Sequence, residues 1–377
     1  MADQAFHVEL APGVAHFNAD EWDRVAGADN PFVCHAFLTA LEDSGSVGPG
    51  TGWQPMPLAV RDADGALRAA LPAYAKGHSQ GEYVFDHSWA DAFERAGGDY
   101  YPKMQIAVPF TPATGPRMLG DPVFATQLLR AAEQVAADNG LSSCHATFIE
   151  PSQVDLFAEA DWLLRRDIQY HWSNRDYPDF DGFLADLTSR KRKDLRKERS
   201  RAVEGLTIRQ LRGDDIRTEH WDAFWIFYQD TGARKWGHPY LTREAFDLLG
   251  RRMADRILLV MAFDGERPIA GALNFIGWQA LYGRYWGCVE DRAFLHFELC
   301  YYQAIDAAIA LGLDRVEAGA QGSHKLARGY EPVETISAHW ITNPGFRTAV
   351  ADFLAREREG VALDRLVLSE RSPFRKG

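Results

Sequence analysis

A glycine-rich turn, Gly319-Ala320-Gln321-Gly322, runs straight into Ser323, His324, Lys325 and Arg328. Such a turn at a helix start exposes backbone N–H groups, and Lys325 and Arg328 place positive charge beside them. The combination favours a phosphate or carboxylate, with Gln321 as a further contact. A serine-capped loop with solvated cations is the plainer alternative. Upstream, Arg190 to Arg201 reads RKRKDLRKERSR, eight basic residues and two acidic ones. Lys191, Arg192 and Lys193 open that run and are the matching candidates for anchoring an anion. Between the two segments, Tyr282, Arg284 and Trp286 alternate, which puts them on one face of a strand. Arg284 is equally suited to pairing with Glu298 or Glu317, and the aromatic rings to a core. Glu298, His296 and His324 are the groups able to move a proton here, and histidine titrates nearest neutrality.

The wider sequence narrows the chemistry. The chain has 377 residues, and the excess of 53 acidic over 41 basic residues gives a net charge of −12. A general nucleic-acid binder would be basic throughout, whereas here the cations are concentrated in one segment of an acidic body. There is no G-x-x-x-x-G-K-[ST], no G-x-G-x-x-G after a strand, no H-E-x-x-H and no G-x-S-x-G. ATP hydrolysis, nicotinamide redox chemistry, zinc proteolysis and nucleophile-elbow hydrolysis all lack their usual signature. His296, Glu298 and Cys300 are spaced by two in a helical stretch and so face different ways, which argues against a metal site. Cys34, Cys144, Cys288 and Cys300 stand far apart, as reduced cytosolic thiols do. The N-terminal MADQAFHVEL has neither a basic n-region nor an apolar h-region, and the longest apolar stretch falls far short of the ~20 residues of a membrane helix. A cytoplasmic protein with no membrane span is expected.

The elements that must carry these residues occur twice. Leu58 to Tyr74 and Leu259 to Phe275 each read as an apolar run, an Asp-Gly turn and a second apolar run, the pattern of a β-hairpin. Val123 to Asn139 and Phe297 to Leu311 each read as a helix closed by glycine, and each precedes a strand, Ser142 to Ile149 and Asp314 to Ala318. Two copies of one α/β unit follow, with residues 1–175 as the first domain and 176–377 as the second. The second opens with a basic helix over about 182–202, capped by Asp181, with a thin apolar stripe of Leu184, Leu187, Leu195 and Ala202.

The phrases LYGRYWG, LHFELCYYQ and EAGAQGSHKLARGYEP resemble the signature of FemAB-like proteins, a family of peptidoglycan biosynthesis or recognition proteins within the GNAT acyltransferase superfamily. Phe85 to Leu119, FDHSWADAFERAGGDYYPKMQIAVPFTPATGPRML, is similar to that family's other long motif, and SRKRKDLRKERSRA resembles the basic helix that opens the second domain of Fem transferases. The resemblance implies an α/β (α+β) fold built as a tandem pair of GNAT-like domains. Each would be a mixed, mostly antiparallel twisted sheet flanked by helices. It also implies acyl or aminoacyl transfer onto an amine, with a substrate in a crevice between the halves. By resemblance alone, Asp86, His87, Trp89, Lys103 and Arg117 become candidate acceptor contacts, with Tyr282 and Arg284 lining the acceptor pocket.

In the family the donor is an aminoacyl-tRNA and the acceptor a cell-wall precursor. No cofactor is expected to be bound permanently. An acyl-CoA enzyme of the superfamily carries a [QR]-x-x-G-x-[GA] loop for the pyrophosphate, and at the matching place this chain has CVEDRAFLH, with two acids and no glycine, which would repel it. The long coiled-coil arm common in tRNA-dependent members is missing too, although the basic helix could meet RNA phosphates. Three readings stand: an aminoacyl-tRNA-dependent transferase, an acyl-CoA-dependent N-acyltransferase, and a non-catalytic module that recognises a peptidoglycan fragment.

Overall fold

A computed structural model describes residues 6–235, 239–319 and 322–375. The chain divides into two compact units, residues 1–167 with 334–363, and residues 168–333 with 364–377. The expected division at 175/176 differs from this in one main respect. Residues 334–363, far down the chain, belong to the first unit.

In unit 1 the expected hairpin forms from Leu58–Asp62 and Leu67–Leu71, within a four-stranded sheet edged by Phe6–Leu10 and Leu119–Gly120. After Pro72 the chain enters a second sheet, where Ala73–Lys76 pairs with Trp53–Pro55 on one side and with Lys103–Ile106 on the other. Lys103–Ile106 then runs parallel to Ser143–Ile149, and residues 336–341 add an antiparallel strand beyond it. Alternation along these strands sorts their side chains. Met104, Ile106, Cys144, Ala146 and Ala338 turn to a core shared with Leu128, Leu129 and Ala132 of the Ala125–Asp138 helix. Lys103, Gln105, Ser143, His145 and His339 take the other face and are buried too.

Unit 2 repeats the plan. Thr207–Arg212, Ile257–Asp264, Arg267–Ile276 and Ala280–Cys288 form an antiparallel meander, with the second Asp-Gly hairpin at its centre. Ala280–Cys288 runs parallel to Arg315–Glu317 for three residue pairs, and residues 171–173 pair antiparallel with the latter. The helical stretch after the meander is α-helical over Leu295–Phe297, widens to a π-turn over Glu298–Tyr302 and returns to α over Gln303–Ala310. Single π-turns of this kind recur at functional sites.

Two sequence expectations are corrected. The helix over 182–202 is two helices, Phe180–Asp186 and Ser189–Ala202. The break occurs because Leu187 is extended and the Thr188 N–H donates to the Pro373 carbonyl instead of continuing the helical ladder. The N-cap of the first is Asp179, whose Oδ1 accepts from Gly182 N–H at 2.8 Å, and not Asp181. Leu195 and Ala202 are the residues the second helix buries, so the thin apolar stripe holds and most of its cations turn outward.

The Thr218–Lys235 helix lies so close on the meander that a Cβ at Gly287 would stand 2.1 Å from the Phe227 carbonyl oxygen. Gly287→Ala is therefore expected to cost about 1–3 kcal/mol, the range for overpacking a filled core. A urea-unfolding midpoint equal to that of the wild type would show that the helix yields freely.

Candidate functional site

The basic helix and the segment after the glycine-rich turn meet within unit 2. A hollow of about 240 Å³ is lined by Lys191, Asp194, Lys197, Glu198 and Arg201 from the helix, by Phe294, and by Ala327 and Arg328. Four cations against two carboxylates leave its wall positive. Each inward-turning guanidinium is anchored. Arg328, buried, donates to Glu198 Oε2 at 2.8 Å and to the His324 carbonyl at 2.7 Å, and its guanidinium lies 3.4 Å from the Phe297 ring centre. The Tyr302 hydroxyl donates to the same Glu198 oxygen at 2.6 Å. Arg199 bridges Glu298, at 3.2 Å, and Asp306. Arg201 lies over the ring of Phe294, whose positive φ of 67° turns the chain into the helix start.

The remaining anion candidates are placed differently. Arg192 is half-buried and reaches the Leu187 carbonyl, and Lys193 is exposed away from the hollow's lining, so Lys191 alone of the three reaches it. Lys325 is buried and donates to the Ala318 and Gly319 carbonyls at 2.6 and 2.8 Å, which ties down the turn. Gln321 lies outside the described residues.

The proton-moving candidates gather at the π-turn. The Tyr301 hydroxyl and His324 Nε2 are 2.9 Å apart, His324 is exposed, and the ring of His296 packs on Trp286 and Tyr301. Glu298 is fully buried. Its Oε1 accepts from Arg199 and Gln303, and its Oε2 has no partner. Burial raises its pKa against the pull of Arg199. Burial also holds the Tyr301 and Tyr302 hydroxyls protonated far above their usual range.

The expected shared face of Tyr282, Arg284 and Trp286 does not form. Leu273 pairs with Tyr285 and Asn274 with Gly283, so Arg284 is an extra, bulged residue. Trp286 therefore packs toward the core while Tyr282 faces the opposite side, and Arg284 lies over the Tyr285 ring. Sequence reasoning missed the partners of Tyr282 on that side. Glu317 stands opposite it and His171 opposite Glu317, in strands far apart along the chain. The CVEDRAF loop is filled by its own ion pairs, Glu290 with Arg267 and Arg292, and Arg292 with Asp264. Among the described residues no cluster of histidine, cysteine, aspartate and glutamate could hold a metal ion, and no helix is long and apolar enough to cross a membrane.

Unit 1 holds a second polar centre on its own sheet face. Lys103 Nζ, with no exposed surface, donates to Ser79 Oγ at 2.9 Å, to Glu82 Oε2 at 2.8 Å and to Asp86. The Tyr100 hydroxyl donates to Asp86 Oδ2 at 2.7 Å and approaches His145 Nε2 at 3.4 Å. His145 Nδ1 and His339 Nδ1 are 2.6 Å apart, so one ring donates and the other accepts. Burial lowers the pKa of His145 to about 3, with Lys103 adding to it, and His339 falls well below its ordinary value. Burial raises Glu82 to about 7 and lowers Lys76 to about 7. Burial would raise Asp86 as well, but the ammonium of Lys103 outweighs it and holds the carboxylate ionised.

The chain matches the FemAB-like family, described as peptidoglycan biosynthesis/recognition, over residues 13–376. It belongs to the FemAB-like family. The structure is similar to that of FemX, with a TM-score of 0.55 at 12% identity over 89% of this chain and 99% of that one. It is also similar to L-PGS from Bacillus licheniformis, with a TM-score of 0.51 at 10% identity over 93% and 99% of the two chains. At such identities the likeness carries the fold. No curated protein matches the chain. The expected α/β fold, two units built of mixed sheets flanked by helices, is the one found.

The FemAB-like motif in unit 1 brings Asp86 and Lys103 into direct contact and lays Trp89 against His339, 4.9 Å between ring centres. The other two motif residues stand apart. His87 is exposed at the start of its helix. Arg117 is buried with its guanidinium on the carbonyls of Thr147, Ala113 and Pro116, a backbone clamp and not a ligand contact.

Lys103→Met would leave Asp86 buried without its cation and Glu82 with Lys76 alone, 3.9 Å away, at an expected cost of about 3–5 kcal/mol in chemical denaturation. A loss under 1 kcal/mol would mean that the cluster is not buried in solution. A histidine whose folded pKa lies below its unfolded one is stabilising above the unfolded value. Its contribution disappears as pH falls from about 6.5 toward 3. Over that window the stability of His145→Asn should decline less steeply with acid than that of the wild type, by up to one proton's slope, about 1.4 kcal/mol per pH unit. Parallel curves would contradict the buried neutral His145.

Proposed function

We propose that this FemAB-like protein is a transferase that moves an acyl or aminoacyl group onto an amine. In this reading the donor is an aminoacyl-tRNA and the acceptor a cell-wall precursor, and the reaction takes place in the cytoplasm. The observation that carries the reading is the positive hollow of unit 2, where Lys191, Lys197, Arg201 and Arg328 converge beside the start of the Leu295–Phe297 helix. Cations at a helix start suit a phosphate-bearing donor. Phe294 offers a ring on which a base can stack, with Arg201 over it.

The CVEDRAF loop weighs against acyl-CoA as donor. Its Glu290 carboxylate is locked in ion pairs with Arg267 and Arg292 where a pyrophosphate would need bare backbone N–H groups. The donor enters as a co-substrate and no resident cofactor is needed. Acyl transfer asks for a deprotonated amine, a polarised carbonyl and a protonated leaving oxygen. Beside Arg328, which donates to the His324 carbonyl, His324 with its Tyr301 partner is the pair suited to returning a proton to the leaving oxygen. Glu298 acts behind it by holding Arg199 in place.

The test is binding of an aminoacyl-tRNA followed by fluorescence anisotropy across a salt series. Affinity should fall steeply with salt, and Lys191→Ala, Lys197→Ala and Arg201→Ala should each weaken it and reduce the log–log slope by about 1. Binding that ignores salt and these substitutions, or thermal protection by CoA that requires Lys191, would reject the aminoacyl-tRNA donor.

A further inference from the structure

A group transfer needs a place for the amine, and the other face of the unit 2 sheet provides one. Ala280–Cys288 and Arg315–Glu317 run parallel and pair only as far as Tyr282 and Glu317, and Glu317 pairs in turn with His171. Tyr282, Glu317 and His171 therefore stand in one row across three strands. Their sequence neighbours Leu281, Val316 and Trp172 turn to the core on the opposite face. All three members of the row are buried, Glu317 with 3% of its surface exposed.

The hydrogen bonding of the row is incomplete. Glu317 Oε1 accepts from Arg315 Nε at 2.9 Å, but Oε2 has no partner. His171 Nε2 lies 3.8 Å from that oxygen and 3.4 Å from Gln169 Oε1. A buried carboxylate oxygen without a donor is costly and marks where an N–H group belongs. The row supplies acceptors and a base. The complementary ligand is compact, positively charged and rich in N–H, which describes a primary ammonium.

The row also lies at the right end of the sheet. Ligands of parallel strands collect beyond their carboxyl ends. Glu317 is the last residue of its strand. The chain leaving that strand leads to Ala327 and Arg328, and the chain leaving Ala280–Cys288 leads to Phe294, all three in the wall of the hollow.

We propose that Glu317 and His171 bind the acceptor as a primary ammonium and that Glu317 takes its proton. Glu317 Oε2 accepts one N–H and removes that proton, leaving the free amine, while His171 Nε2, which faces the acceptor oxygen of Gln169, keeps its own N–H. The amine nitrogen forms a bond to the donor carbonyl carbon, and the bond from that carbon to the carrier oxygen breaks. A second N–H proton leaves with the carrier oxygen, and the Glu317 carboxyl returns its proton to solvent. The use of the amine rests on the transferase reading, whereas its binding does not.

The experiment titrates the full chain, with histidines isotopically labelled, with propylammonium, and with tetramethylammonium as a control that lacks N–H groups. Propylammonium should shift the His171 resonances saturably and the control should not. Glu317→Gln should weaken the effect at least tenfold, and His171→Asn should remove the assigned signal and weaken binding while leaving salt-dependent RNA binding intact. Should Glu317→Gln fail to fold by circular dichroism, Glu317→Asp provides the same readout. Equal shifts from both cations, or amine binding undiminished by either substitution, overturns the assignment. Amine binding that persists where RNA binding is absent supports this site and counts against the tRNA donor. RNA binding without any amine response overturns the site and spares the hollow.

Discussion

A charge taken out of water must meet an opposite charge, and much of this structure follows from that. The basic helix carries eight cations, and it can pack at all because those that turn inward find carboxylates: Arg199 meets Glu298 and Asp306, while Glu198 of the same helix neutralises the buried Arg328. Once these are matched, the cations left on the wall of the hollow set its sign. The positive character of the site is the remainder after internal neutralisation, and a simple count of lysines and arginines would overstate it.

The same constraint shapes unit 1 in reverse. There two lysines and two carboxylates are enclosed together, and burial holds the two histidines beside them neutral. Both units therefore bury polar side chains on one sheet face and hydrocarbon on the other. An ordinary half-exposed sheet would leave its polar face to water. Here that face is enclosed, and its residues must satisfy one another or a ligand.

Much of this could be read from the residues. Asp64-Gly65 and Asp264-Gly265 announced the two hairpins, because few dipeptides turn a chain so tightly. The basic run and the segment after the glycine-rich turn stand out by their charge, and Lys191 and Arg328 line one hollow. The bulge at Arg284 is not legible in the sequence, since an alternation count has no way to register an extra residue inserted into the strand. Nor is the Glu317–His171 pair, which depends on the register of strands far apart in sequence. Lys103 and Asp86 were legible only through the family motif, because a lysine in a short apolar run gives no hint of which loop will bring its carboxylate. Lys325 and Arg117 show a different feature that sequence does not display: a cation in a conspicuous motif can donate to backbone carbonyls.

The interleaving of the two units has a consequence for biosynthesis. Residues 334–363 belong to unit 1, where Val350 and Leu354 pack with Trp89 and Tyr100, and where Ala338 pairs with Ala146. Domains usually mature in the order in which they leave the ribosome. Here the first half emerges with one edge of its sheet still uncovered and stays so while residues 168–333 of unit 2 are translated. The nascent chain thus carries an open strand edge and an uncovered aromatic patch throughout that interval, the kind of surface that invites aggregation.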